Sequence, residues 1–317
     1  MKRRKFIAAA ATAVPAITLF PADLSGIARK IVPGKIEKRS LGRTGEILSV
    51  IGFGGIVVMN ATPSEASERV RKAIDAGINY FDVAPSYGDA EVKLGPALEP
   101  YRKDVFLACK TTMRTKDEAR KELEQSLKNM RTDHFDLYQH HAVTEMADVD
   151  TLLAPGGAME AFLEARQEGK IRFIGFSAHS VEAAMVLMER FDFDTILFPF
   201  NYATWHAGNF GPQVMEKAMK KNMGNLALKA MARGPWPEGA DRSAYPKCWY
   251  EPLMTEEDIT MGLRFTLSHP VTAAIPPGDE NLFMQAMAIA DRLKPLDESE
   301  VRDIKEKALK GNPLFRA

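Results

Sequence analysis

The sequence predicts a single α/β domain of the (β/α)8 TIM-barrel class, with an N-terminal hairpin and an extra C-terminal helix. Strand-like apolar runs alternate with segments of helical periodicity, and the alternation can be counted eight times to the end of the chain. No composition break or low-complexity linker separates the copies, which favours one closed parallel barrel over two open-sheet domains. With 317 residues, 45% apolar and 26% charged, the chain can bury a large core and lies far from the composition of disordered segments.

The chain begins with Lys2, Arg3, Arg4 and Lys5, continues through an uncharged run from Ala8 to Phe20, and then reaches the small residues Gly26 and Ala28. This order is that of an export signal over residues 1–28, and the apolar run is too short to span a bilayer comfortably. Arg3-Arg4 followed by Lys5-Phe6-Ile7 resembles the twin-arginine signal, whose machinery exports folded proteins, often with a cofactor already bound. The resemblance implies a periplasmic or otherwise exported protein and names that machinery as a partner.

The barrel unit covers residues 35–317. Lys35 to Val50 contains two short strand-like stretches about Gly42 and the Thr44-Gly45 turn, which predicts a hairpin. The eight strands are expected at Leu48–Gly52, Asn79–Val83, Val105–Lys110, Phe135–His140, Phe173–Ser177, Thr195–Phe200, Leu226–Ala230 and Thr272–Ile275. Helices are expected between them, for example Ser64–Ala76 with Val70, Ala73 and Ile74 on one face, and Lys116–Met130 with Leu123, Leu127 and Met130 in one stripe. A last helix, Glu298–Lys310, is expected to pack on the outside through Val301, Ile304 and Leu309.

Lys plus Arg and Asp plus Glu both total 42, so no excess of basic charge exists to hold a nucleic acid. Cys109 lies in an apolar strand-like run where a buried free thiol is common, so no disulfide to Cys248 is expected. Methionines such as Met185 and Met188, or Met284 and Met287, fall at helical spacing and read as core filler.

In this fold the active site is built at the C-terminal ends of the strands and in the loops that follow. Asp82 ends the second strand, Tyr87 lies in the loop after it, Lys110 ends the third and His141 ends the fourth. Charged groups on neighbouring strand ends are costly to bury unless they pair, and an Asp82–Lys110 pair would leave Tyr87 facing a ligand. A nearby ammonium is expected to lower the Tyr87 phenol and suit it to proton donation, with His141 bonding a substrate oxygen. A second reading makes Lys110 a Schiff-base nucleophile. No His, Cys and carboxylate cluster shows metal-ligand spacing, so no metal is expected.

GFGG (52 to 55), AGINYFDVAPSYG (76 to 88), DLYQHH (136 to 141), GKIRFIGFS (169 to 177) and LALKAMARG (226 to 234) together resemble the aldo-keto reductase family, in the family's order and along almost all of the chain after the signal. The resemblance places the family's catalytic Asp, Tyr, Lys and His on Asp82, Tyr87, Lys110 and His141. His140 is then the variable neighbour, and alternation along a strand points it to the opposite side. The implied reaction is reversible hydride transfer between a reduced nicotinamide and a small aldehyde or ketone, with NAD(P)H as cofactor.

The family's cofactor contacts are carried over singly. Ser177 matches the serine that bonds the nicotinamide amide, while Ala178 replaces the usual Asn and Leu197 the usual Gln. Lys229 stands near the expected pyrophosphate. Gly278 lies in the cofactor loop after strand eight, where Asp279 and Glu280 replace basic residues that grip a 2′-phosphate, which favours NADH. The segments Ala203–Pro212 and Gly234–Pro252 offer Trp205, His206, Trp236, Tyr245 and Trp249 either as an aromatic pocket wall or as loop packing. Ala178 and Leu197 also admit an alternative function, a dinucleotide-binding sensor with little turnover.

Overall fold

The computed structural model describes residues 36–317, so the expected export signal lies outside the described residues. Lys38–Ser40 (β1) and Ile47–Ser49 (β2) form an antiparallel hairpin. The barrel strands are β3 (Phe53–Gly54), β4 (Tyr80–Asp82), β5 (Phe106–Thr111), β6 (Phe135–Val143), β7 (Ile171–Ala178), β8 (Thr195–Pro199), β9 (Gly224–Leu228) and β12 (Ala273–Ala274). Between the last two, β10 (Ala232–Gly234) and β11 (Glu251–Pro252) make a separate antiparallel pair.

The eight strands follow one another in sequence order, all parallel. A parallel bridge between Ile51 and Ala274 closes the ring, supported by Gly52 N donating to Ala274 O at 3.0 Å and Ala274 N donating to Val50 O at 2.9 Å. This (β/α)8 barrel has no free sheet edge, so its strands read as buried apolar runs on both faces.

Around the barrel lie α1 (Pro63–Asp75), α2 (Ala90–Leu98), α3 (Lys116–Met130), α4 (Met146–Leu153), α5 (Ala158–Gln167), α6 (Val181–Arg190), α7 (Tyr202–Ala207), α8 (Pro212–Lys220), α9 (Glu256–Leu267), α10 (Glu280–Ile289) and α11 (Glu298–Leu309). Local chemistry sets their ends. Helix α1 starts with Thr62 and Glu65 in a reciprocal capping box and Pro63 in the first turn, where its missing N–H costs nothing.

Two cores result. Tyr80, Phe106, Ala108, Leu137, Leu197, Leu226 and Ala273 fill the barrel interior, plugged from below by Leu41 and Leu48 of the hairpin. The alternate residues face the helices in the larger outer core.

The structure corrects three expectations. Leu48 and Ser49 belong to the hairpin, and the first barrel strand begins only around Ile51, because one apolar run serves both elements. Strand seven ends at Leu228, and Lys229 turns out of it with a φ of 62°. On α11, Ile304 packs as expected, but Ala308 takes the buried place expected of Leu309, which is exposed.

Candidate active site

Side-chain parity delivers three polar groups to one end of the barrel. On β4, Tyr80 fills the interior, so Asp82, two residues on, points the same way. On β5, Ala108 and then Lys110 do so, and on β6, Leu137, Gln139 and His141. Lys110 and Asp82 are fully buried and form a direct ion pair through Nζ and Oδ1. Lys110 Nζ also donates to Val83 O at 3.2 Å.

Asp82 is held twice more through Oδ2, which accepts from Tyr80 Oη at 3.2 Å and from Gln139 Nε2 at 3.3 Å. Sequence reasoning missed these two supports. The signal was available, since each stands two residues before a residue of the site and therefore shares its face.

Tyr87 lies over this pair, with Lys110 Nζ 5.2 Å from its ring centroid. The His141 ring stands edge-on to Tyr87, centroids 5.7 Å apart at 87°. His141 Nδ1 meets Ser86 Oγ at 3.3 Å, a further contact the sequence did not flag.

The electrostatics correct one expectation. Burial raises the Tyr87 phenol above its ordinary value, and the opposing pull of Lys110 offsets this only in part. Lys110 itself is opposed by burial but raised on balance by Asp82 and Tyr87, which favours the cation and so weighs against the nucleophile reading. Burial, then Lys110, pushes His141 down to about 2, so its ring is neutral at any ordinary pH.

His140 faces the other way. It stacks on Phe162 of α5 at 4.0 Å and 8°, fully buried, with neither ring nitrogen partnered among the described residues.

The remaining half of the mouth is built by β7 to β12. Ser177 and Leu197 face inward and are fully buried, whereas the Ala178 side chain lies in the outer core. Ser177 Oγ accepts from Ala142 N at 2.8 Å and keeps its own proton to donate. His179 follows, stacked on Phe315 at 5.3 Å, its buried Nε2 unpartnered.

Lys229 Nζ lies 5.3 Å from the rings of both Trp249 and Tyr250. It forms no ion pair among the described residues, and burial lowers it to about 8. A cation without an acid partner can receive an anion. Gly278 sits where a Cβ would come within 2.1 Å of Ile56 Cγ2, so the loop before α10 needs glycine for close approach. Asp279 caps α10 through Leu282 N at 3.1 Å, and Glu280 pairs with Arg69.

The aromatic loops divide. Trp205 and His206 pack against Phe265 outside the barrel, which makes them loop packing and not a pocket wall. Trp236 Nε1 donates to Cys248 O at 2.9 Å, and Trp249, beside Lys229, stays exposed. Cys109 and Cys248 are free and buried. No described helix is long and apolar enough to cross a membrane.

The sequence model of the Aldo/keto reductase family matches residues 50–251, more than half of the chain. L-galactose dehydrogenase of Arabidopsis thaliana is 32% identical over 171 residues, 49% of this chain and 53% of its own length. The aldo-keto reductase YhdN of Bacillus subtilis is 34% identical over 185 residues, 52% of this chain and 54% of its own length. The chain thus spans about half the length of these relatives. A holo-form aldo-keto reductase structure from Bacillus halodurans superposes with a TM-score of 0.68 at 23% identity, covering 85% of this chain and 95% of that one.

Proposed function

Since this chain belongs to the Aldo/keto reductase family, we propose that it reduces the carbonyl group of a small aldehyde or ketone with a nicotinamide dinucleotide, Tyr87 acting as general acid. The carrying observation is the buried Lys110–Asp82 pair lying beneath Tyr87 with His141 edge-on to it. When bound, a reduced nicotinamide would supply the hydride that the carbonyl carbon takes up.

Tyr87 gives its proton to the carbonyl oxygen, and the raised phenol keeps that proton in place until the oxygen becomes basic. Lys110 stabilises the phenolate left behind, and Asp82 balances the charge of Lys110 so that the ammonium persists out of water. In this reading Ser86, 3.3 Å from Nδ1, acts as the donor there, which leaves the His141 proton on Nε2 to be donated to the same carbonyl oxygen. Solvent reprotonates Tyr87 to close the cycle.

The residues of the second half fit a dinucleotide. Lys229 would hold phosphate charge, the Ser177 hydroxyl would donate to the nicotinamide amide, and Gly278 would let the loop before α10 come close. Asp279 favours NADH over its 2′-phosphorylated form, while Glu280 contributes less because Arg69 already pairs with it.

The test is titration with NADH and with NADPH, followed by assay against aldehydes, ketones, quinones and keto sugars. Binding with turnover of at least one class is expected. Tight binding without turnover selects the sensor reading, and binding of neither dinucleotide overturns the proposal. Export through the Arg3-Arg4 signal to the periplasm belongs to the same proposal, and fractionation of cells carrying Arg3→Lys/Arg4→Lys checks it by loss of the exported form.

A further inference from the structure

The strand that carries His141 does not run straight through the barrel mouth. Strand β6 pairs His140 with Phe176 and next pairs Val143 with Ala178. His141 and Ala142 therefore both stand against the single residue Ser177, a two-against-one β-bulge. Ala142 takes a φ of 51° there, in the left-handed region that a residue with a Cβ resists.

Such a conformation persists only where its surroundings hold it. Ala142 N donates to Ser177 Oγ at 2.8 Å. From the loop after β5, Arg114 Nη2 donates to His141 O at 2.9 Å and reaches Ala142 O at 3.5 Å. Arg114 is itself braced, because Nε lies 3.1 Å from Asp148 Oδ1 and Nη2 lies 3.2 Å from Oδ2 on α4. Its backbone carbonyl accepts from Ala158 N at 2.8 Å. A planar guanidinium can serve the carboxylate and the bulge carbonyls together, which an ammonium on a flexible stem does poorly.

We infer that Arg114, braced by Asp148, is a positioning residue that clamps the Ala142 bulge and so sets the His141 ring against Tyr87. Ser177 is the second jaw. Its hydroxyl accepts from Ala142 N while keeping its own proton free to donate. Arg114 touches neither reactant and acts through the backbone of its neighbour. The inference rests on the reductase reading above.

The test compares Arg114→Met, Arg114→Lys and Asp148→Asn with Arg120→Ala, whose guanidinium pairs with Glu168 on the outer surface. Each is assayed for kcat, KM and dinucleotide Kd, and the His141 ring is followed by NMR in histidine-labelled protein. Arg114→Met should lower kcat about 10- to 100-fold, as a small misplacement of a reacting group does, and should shift the His141 ring signals. Its dinucleotide Kd should stay within about threefold, since that site keeps its own contacts.

Arg114→Lys should recover part of the loss, and Asp148→Asn, which leaves the guanidinium in place, should show a smaller one. Arg120→Ala should match the wild type. A folded Arg114→Met with wild-type kcat and unmoved His141 signals overturns the inference, as does loss of dinucleotide affinity in parallel with kcat. Should the unmodified protein turn over no carbonyl, the reductase reading fails, and the His141 signals alone still decide whether the clamp exists.

Discussion

The two halves of the barrel mouth manage polar groups in opposite ways. Across β4, β5 and β6 the charges answer one another, with Lys110 on Asp82 and Asp82 further held by Tyr80 and Gln139. Across β7, β8 and β9 they do not, since Lys229 has the rings of Trp249 and Tyr250 beside it but no ion-pair partner among the described residues, where His179 Nε2 has no partner either. Buried polar groups are costly unless satisfied. The charged pair of the first half is therefore balanced within the protein, although Gln139 Oε1 has no partner among the described residues, whereas the proposed function has a ligand complete the second half.

The largest effect should come from breaking the balanced half. Asp82→Ala leaves Lys110 buried without its counter-charge and should destabilise the fold by about 3–5 kcal/mol in urea unfolding. Adding Lys110→Met to Asp82→Ala should restore much of that loss, because the uncompensated charge is gone. A double variant no more stable than the single would show that the pair is not the source of the cost.

Tyr87→Phe comes next, with an expected fall in kcat of about 100- to 10,000-fold and no loss of dinucleotide binding. The pH profile sharpens the same point. Because His141 is held down to about 2, kcat for reduction should show no acidic limb near the ordinary histidine value of about 6.5. Such a limb would mean that His141 titrates and is not fixed as a neutral donor.

In the second half, Lys229→Met should weaken dinucleotide binding about tenfold at neutral pH. The sign of the pH effect follows from the direction of the shift. Lys229 is lowered to about 8, so its charge is present below that value and lost above it. Wild-type affinity should decline as pH rises through this region, and Lys229→Met should remove the decline.

The smallest effect belongs to His140. Its stacked ring leaves both nitrogens unpartnered among the described residues, so His140→Leu exchanges a buried polar ring for an apolar side chain. Stability should be unchanged or higher by about 1 kcal/mol.

The barrel was legible because a closed parallel sheet leaves apolar runs whose polar residues gather at the strand ends. Asp82, Lys110 and His141 stood out on that ground, while the choice of His141 over His140 came from the family resemblance, and alternation set the two on opposite sides. The start of the first barrel strand was hidden, since the run from Leu48 to Gly52 passes from hairpin to barrel with only the small Ser49 to interrupt it.

Other features depend on packing that composition does not encode. Trp205 carries no sign of whether it faces the mouth or α9, and the Leu309 and Ala308 exchange turns on helix phase. The direction of the Tyr87 shift depends on how deeply its loop seats it. The bulge at Ala142 is written in no local motif, because a loop arginine and a serine on the next strand hold it.

The most direct measurement follows the hydrogen itself. Protein supplied with NADH deuterated on the transferring face of C4 and with a carbonyl that it turns over should yield an alcohol carrying that deuterium on its carbinol carbon. Tyr87→Phe should bind the same dinucleotide and form almost none of the product. Alcohol without the label, or labelled alcohol formed equally well by Tyr87→Phe, would contradict the account.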